Sequence, residues 1–312
     1  MRFSVIVPTY KRPAELINCL SSLEHQTRIP DEVIVVERDT DIDTQHKLEY
    51  FIRKSGLNIK KGIVKKPGVI SALNSGLNIA TGDIVCFIDD DAEASSDWIE
   101  RIESYYSDKK IGGVGGRIVA YENDVPLIVW EVNKIGQLQW FGRLIGNYCN
   151  EVKSICMVDF LPGTNMSFRK SLITSFDENL KGDDYNFEVD MGLSVREKGY
   201  NLIFDPKIKV KHNGIRGTQK DSINWLLRSF TNAHNTVYVM LKHLHFIRKI
   251  IFLIYFFVVG DTASPGFIKI LFLIGRKHFF RSLLIFFYAT QGKLAGILTY
   301  EKCHPKFHIK TN

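Results

Sequence analysis

The sequence predicts an α/β fold, a mostly parallel, doubly wound sheet flanked by helices, with a helical C-terminal extension. Three observations predict it. Short apolar runs rich in β-branched residues ("FSVIVPTY", "EVIVVE", "DIVCFI") alternate with amphipathic helical stretches in the first 120 residues. Those runs are apolar on both faces, which suits parallel strands covered by helices on each side. The charge is divided. Residues 201–312 carry 17 Lys and Arg against 4 Asp and Glu, net +13, whereas residues 1–200 carry 24 against 30, net −6.

The elements follow in order. After the first strand, Pro13 suits a first helical position, and Leu16, Leu20 and Leu23 share one helix face. "EVIVVE" is the second strand. A helix over 43–54 holds Leu48, Phe51 and Ile52, and "IKKGIVKK" is a third strand. A helix over 69–80 aligns Ile70, Leu73 and Leu77 and is ended by Gly82. After "DIVCFI", Asp97 and Glu100 resemble a capping box opening a helix through Tyr106. The segment 121–160 is irregular. A strand and helix return over 166–199, "NLIFDPKIKVKH" is a β-run, and 221–245 is a long amphipathic helix.

In doubly wound sheets, ligands bind beyond the carboxyl ends of the strands. Asp89, Asp90 and Asp91 stand there, directly after "IVCFI". Three adjacent carboxylates repel one another, and a hard divalent cation with oxygen ligands, Mg²⁺ or Mn²⁺, relieves that repulsion. The alternative is a solvated acidic turn. After the first strand, "VPTYKRP" places Pro8, Thr9, Tyr10 and Arg12, which offer hydroxyl, stacking and cationic contacts to a nucleotide. Glu37, Arg38, Asp39 and Asp41 follow the second strand, where a carboxylate can accept from a base N–H or a ribose hydroxyl.

The segments "VIVPTYKRP", "EVIVVERDTD", "ALNSGLNIATGDIVCFIDDDAE", "LPGTNMSFRKS" and "NFEVDMGLSVREKGYNLIFDPKIKVKH" occur in this order over about residues 3–212. As an ordered set they resemble a family 2 glycosyltransferase of the GT-A fold. The resemblance implies that Asp89 and Asp91 form a D-x-D pair for metal and diphosphate, with Asp90 inside it and His212 completing the metal site. It implies that Glu37 and Asp39 hold the base or ribose, although "ERDTD" departs from the commoner "DNGS" type of loop. Asn74 matches a donor-site Asn. Gly163, Thr164 and Asn165 lie on the acceptor side, with Gly163 letting substrate approach the backbone. Counted back from Gly199-Tyr200, the catalytic base falls on Glu188, in "FEVD" where the family often shows "EDVD". Asp190, about 200° away on a helix, is a structural or acceptor-binding carboxylate, and Asp183 and Asp184 are substitutes for the base. The implied reaction is an inverting transfer from a nucleotide-sugar, UDP- or GDP-linked, to a glycan or lipid-linked acceptor. The implied divisions are a donor half (1–115), an acceptor half (116–220) and a basic, apolar helical region (221–312).

Other function classes are weighed against this. A nucleotidyltransferase would show a Gly-rich loop after the first strand, and "VPTYKRP" has none. A non-catalytic nucleotide-sugar binder at the membrane is the alternative the "FEVD" departure keeps open. The basic tail interleaves with "IIFLIYFFVV", "IKILFLIG" and "LLIFFY", which fits lipid better than nucleic acid. The run Ile250–Val259 is half the length of a bilayer span. With Arg248, Lys249, Lys269, Arg276, Lys277 and Arg281 beside these runs, helices lying in an anionic interface are expected, peripheral on the cytoplasmic face of the membrane. A packed subdomain or a homodimer contact is the other reading. Five cysteines without CxxC spacing suggest reduced thiols, and no signal peptide is expected.

Overall fold

A computed structural model describes residues 1–122, 125–182, 186–213, 224–272 and 279–305. Asp183, Asp184, Arg276 and Lys277 lie outside the described residues. The chain forms two compact units: 1–137, 144–177 and 187–218 in the first, and 138–143, 178–186 and 219–312 in the second.

The first unit begins as the apolar periodicity dictates. β1 (Phe3–Pro8), α1 (Pro13–Glu24), β2 (Glu32–Arg38), α2 (Ile42–Ile52), β3 (Ile59–Val64), α3 (Val69–Ile79) and β4 (Ile84–Phe87) alternate. β5 (Ala92–Ala94) and α4 (Trp98–Tyr105) follow, then the long β6 (Ile111–Glu122), β7 (Val125–Pro126), β8 (Gln137–Leu138), β9 (Leu144–Ile145), β10 (Cys156–Val158), β11 (Met166–Arg169), α5 (Phe187–Glu197) and β12 (Asn201–Asn213). Among the described residues the main sheet has ten strands, in the order β10-β12-β6-β11-β4-β1-β2-β3, with β5 on β12 and β7 on β6.

The strands β3, β2, β1 and β4 are parallel. β11 then runs antiparallel between β4 and β6. The sheet is therefore mixed beyond β4, where the alternation of strand and helix stops. The chain moves outward through β2 and β3 and returns to the other side of β1 as β4. That reversal opens a crevice at the carboxyl ends of β1 and β4, where such sheets hold ligands. Leu16, Leu20 and Leu23 of α1 pack with Phe3, Val5 and Val7 of β1, all fully buried. Each such side chain contributes roughly 1.5–3 kcal/mol of burial, so the crevice stands on a rigid floor.

Two local expectations are corrected. Asp97 precedes α4 but makes no capping bond; its carboxylate is taken by Arg101 at 2.5 Å and Ser95 at 3.0 Å. α3 ends at Ala80, which turns to extended backbone. Gly82 lies beyond it, donating its N–H to Ser4 Oγ at 2.8 Å.

The second unit holds α6 (Asn224–His243), α7 (Phe246–Val258), α8 (Phe267–Leu271) and α9 (Phe279–Cys303). The stretch "LLIFFY" lies within the single 25-residue helix α9, which is long and apolar enough to cross a membrane by length and composition. Reading the apolar runs separately missed this, because polar Thr290, Gln291 and Lys293 interrupt the apolar pattern without breaking the helix.

Candidate active site

The acidic triplet leaves β4 at the reversal point. β5, only three residues long, pairs antiparallel with the end of β12, setting Ala92 opposite His212. This pairing brings His212 beside carboxylates far from it in sequence. His212 Nε2 lies 2.9 Å from Asp91 Oδ1 and 3.9 Å from Asp89 Oδ2. One ligand atom from each of Asp89, Asp91 and His212 falls within 4.8 Å of the others. His212 Nδ1 is buried without a hydrogen-bond partner. Two carboxylate oxygens and an imidazole suit Mg²⁺ or Mn²⁺, so the residues present fit a divalent ion.

The three aspartates are not equivalent. Asp90 turns away from the cluster, accepts Thr9 Oγ1 at 2.8 Å and faces Arg12 Nη1 at 3.3 Å. Burial, aided by its acidic neighbours, pushes its carboxyl up to about 6. Burial also lifts Asp89, which accepts from the Thr164 hydroxyl and is repelled by Asp91. Burial opposes the charge of Asp91 too, but His212 and Arg12 outweigh it and hold its carboxyl below the usual range. Burial likewise opposes His212 protonation, and Asp91 and Asp89 outweigh it, raising the imidazole.

At the end of β1, Arg12 Nη1 reaches Asp91 at 2.5 Å, and Tyr10 exposes 46 % of its surface. Tyr10 sits between two cations, Lys11 Nζ at 5.2 Å and the Arg38 guanidinium at 5.5 Å from its ring centre. Lys11 adopts φ +56°, and its N–H donates to Asp41 Oδ2 at 2.5 Å. Asp41, at the N-cap of α2, also accepts from Thr44 N–H, so one residue secures both strand-end loops. Glu37 is fully buried, with neither carboxylate oxygen hydrogen-bonded. Lys61 Nζ is 3.7 Å from it, and burial raises its carboxyl. Asp39 is exposed in the next loop.

Glu188 stands in the first turn of α5. Its Oε2 is buried without a partner. Burial, and secondarily repulsion from Asp89, pushes its carboxyl up to about 7. Asp190 is 5 % exposed and points to the other side of α5, as the 100° step between residues requires.

Three of the expected site residues make internal contacts. Asn165 is fully buried and bolts three elements together. Its Oδ1 accepts Trp98 Nε1–H at 2.8 Å, and its amide donates to the Arg117 carbonyl at 3.2 Å and the Ile208 carbonyl at 3.1 Å. Both amide hydrogens are directed at backbone carbonyls inside the protein. Gly163 faces the Phe187 ring, which would lie 3.0 Å from an added Cβ. Asn74 clamps the backbone of Phe176, accepting its N–H at 2.7 Å and donating to its carbonyl at 3.0 Å. Phe176 in turn meets Phe87 and Phe187 edge-on, at 5.3 and 5.7 Å. This aromatic chain runs from the strand before the triplet to the helix carrying Glu188. Sequence reading missed it because Phe176 lies in an aperiodic loop.

The family model for Glycosyl transferase family 2 matches residues 4–174, more than half of the chain. The chain belongs to glycosyl transferase family 2. As a family 2 member it is a glycosyltransferase. A relative in Haloferax volcanii, the glucosyl-dolichyl phosphate glucuronosyltransferase, is 24 % identical over 255 residues, covering 75 % of this chain and 76 % of that protein. Among solved structures, GalNAc-T7 with UDP, GalNAc and Mn²⁺ superposes with TM-score 0.63 at 14 % identity. The match covers 97 % of this glycosyltransferase but 56 % of GalNAc-T7. The Pyrobaculum calidifontis mannosyltransferase PcManGT, with GDP-Man and Mn²⁺, gives 0.59 at 15 % identity, covering 95 % and 87 %. The fold of this family 2 glycosyltransferase is GT-A.

Proposed function

We propose that this chain is an inverting glycosyltransferase that moves a sugar from a UDP- or GDP-linked donor to a glycan or lipid-linked acceptor, with Glu188 as general base. The observation that carries the reading is the meeting of Asp89, Asp91 and His212, together with a buried, partnerless Oε2 on Glu188, whose carboxyl burial raises to about 7. Asp89, Asp91 and His212 would hold Mg²⁺ or Mn²⁺; Mn²⁺ accompanies UDP and GalNAc in GalNAc-T7 and GDP-Man in PcManGT. Such an ion, when bound, supplies positive charge to the diphosphate of the leaving group.

The chain's own residues do the rest. Pro8, Thr9, Tyr10 and Arg12 line the donor side, Tyr10 offering an exposed ring and Arg12 a cation shared with Asp90 and Asp91. Glu37 and Asp39 are candidates for the base or ribose, and a buried carboxylate without a hydrogen-bond partner, as in Glu37, suits an N–H or hydroxyl donor. Thr164 steadies Asp89, and Asp190 supports α5 from within. Glu188 accepts the proton of the acceptor hydroxyl as that oxygen bonds to the anomeric carbon. The bond from that carbon to the diphosphate oxygen breaks, and its electron pair leaves with the nucleoside diphosphate. Attack from the face opposite the leaving group inverts the anomeric configuration. A carboxylate whose proton affinity is tuned near neutrality is suited to this abstraction.

The basic, apolar C-terminal region supports a peripheral position on the cytoplasmic face of a membrane, where a lipid-linked acceptor is available. The lipid-linked sugar in the name of the Haloferax relative is consistent with that acceptor class. Release of nucleoside diphosphate from a panel of UDP- and GDP-sugars, with Mn²⁺ or EDTA, tests the reading. Release from one donor that EDTA abolishes supports it, and the absence of any release or donor binding across the panel overturns it.

A further inference from the structure

The second unit turns apolar stripes outward. On α7, Ile247, Ile250, Ile254 and Val258 are exposed. On α9, Phe280, Leu284, Phe287, Leu294 and Leu298 are exposed. Within α7 the spacing is three or four residues throughout, and in α9 only Gln291 interrupts it, so each set is a single stripe along its helix. The two helices are neighbours: Lys249 Nζ donates to Tyr300 Oη at 2.7 Å, and Lys293 Nζ donates to the Phe256 carbonyl at 2.6 Å. Trp140, 65 % exposed, stands beside α7, its carbonyl accepting from Arg248 Nε at 2.8 Å.

The face of α9 opposite its stripe is closed. An added Cβ would lie 2.2 Å from the Phe230 carbonyl oxygen at Gly292 and 2.6 Å from that of His234 at Gly296. The backbones of α6 and α9 therefore touch, and only glycine permits it.

By length α9 is able to cross a bilayer core of about 30 Å. Yet any stretch of about 20 residues within Phe279–Cys303 includes Lys293. Lys293 is fully buried and also donates to the Pro265 carbonyl at 3.0 Å. At the same level, next to His234, Asn235 clamps the backbone of Lys181, accepting its N–H and donating to its carbonyl, each at 2.8 Å. Lys181 and Glu178 are exposed. A crossing would draw this irregular, charged segment to membrane depth, where lipid-exposed irregular backbone is not tolerated. Residues 246–303 carry eight Lys and Arg against two acidic residues, which favours an anionic surface.

We propose that α7 and α9 dock side by side on an anionic lipid surface, with α9 lying in the plane of the interface and not crossing the bilayer. This rests on the membrane-surface reading above; lipid binding is measured without substrate, so its failure is separable from failure of the transferase reading. The full chain is floated with vesicles of phosphatidylcholine alone and of phosphatidylcholine with phosphatidylglycerol. It floats with the anionic vesicles, and the Phe287→Glu/Leu294→Glu double variant loses about tenfold in bound fraction while keeping its donor hydrolysis in solution. On bound protein, a membrane-impermeant maleimide modifies both native Cys303 and a Ser282→Cys variant, read by peptide mass. Protection of one end alone shows a crossing helix and overturns the proposal. So does failure to bind either vesicle, or a dimer in solution that the double variant dissolves, which would make a second copy the cover of these stripes.

Discussion

His212 Nε2 lies 2.9 Å from Asp91 Oδ1, at the end of a strand that is held to the acidic turn by its pairing with the three-residue β5. The imidazole and the carboxylate are aligned by backbone register before any ligand arrives. Such pre-alignment lowers the cost of assembling a metal site.

If this pair holds a divalent ion, His212→Ala weakens Mn²⁺ binding at least about tenfold. Titration of Mn²⁺ followed by electron paramagnetic resonance reads the affinity directly, without an acceptor. Unchanged affinity would remove His212 from the site.

Glu188→Gln lowers the turnover rate with acceptor by about 10² to 10⁴, leaving the KM for donor near its original value. In the wild type the base acts only as carboxylate. Its carboxyl is raised to about 7, so the rate climbs as pH rises through about 7 and falls as pH drops below it. A pH–rate profile checks this, and a profile flat across that range would assign the base elsewhere.

Acid stability has a separate source. Glu32, fully buried, meets Lys60 Nζ at 2.6 Å, Ser4 Oγ at 2.5 Å and Thr81 N–H at 2.6 Å. Burial opposes its charge, but these partners outweigh it and pull its carboxyl to about 2. A depressed carboxyl stabilises the fold above its unfolded value, and that contribution is lost as pH falls from about 4.5 toward 2. Glu32→Gln costs about 3 kcal/mol at neutral pH and removes this part of the acid sensitivity, as urea melts at pH 7 and pH 3 would report.

Asn165→Ala leaves the Trp98 indole N–H without its partner and removes two hydrogen bonds to backbone carbonyls. Each orphaned group costs about 1–3 kcal/mol, so the melting temperature falls by several degrees or more. Calorimetric melting together with the KM for acceptor separates bracing from substrate binding: an unchanged acceptor KM in the folded variant confines Asn165 to bracing, and a raised one places it at the acceptor.

The alternation of strands and helices from β1 to β4 was legible in the chain, because burial on both faces leaves continuous apolar runs and a helix leaves a 3.6-residue period. The placement of the acidic triplet at a strand end was legible for the same reason, as was the C-terminal excess of basic charge. Sequence by itself thereby determined the α/β class, the crevice and the acidic residues that line it. Other features depended on the tertiary structure. The union of His212 with Asp91 depends on β5–β12 pairing, and a three-residue strand carries no period to read. The antiparallel insertion of β11 depends on which edge accepts it, a choice made by long-range hydrogen bonding. Asn165 and Asn74 carry amides that serve equally for substrate or for internal bracing, and Gly163 carries no side chain at all. Folding sets Trp98, Phe176 and Phe187 against these three positions.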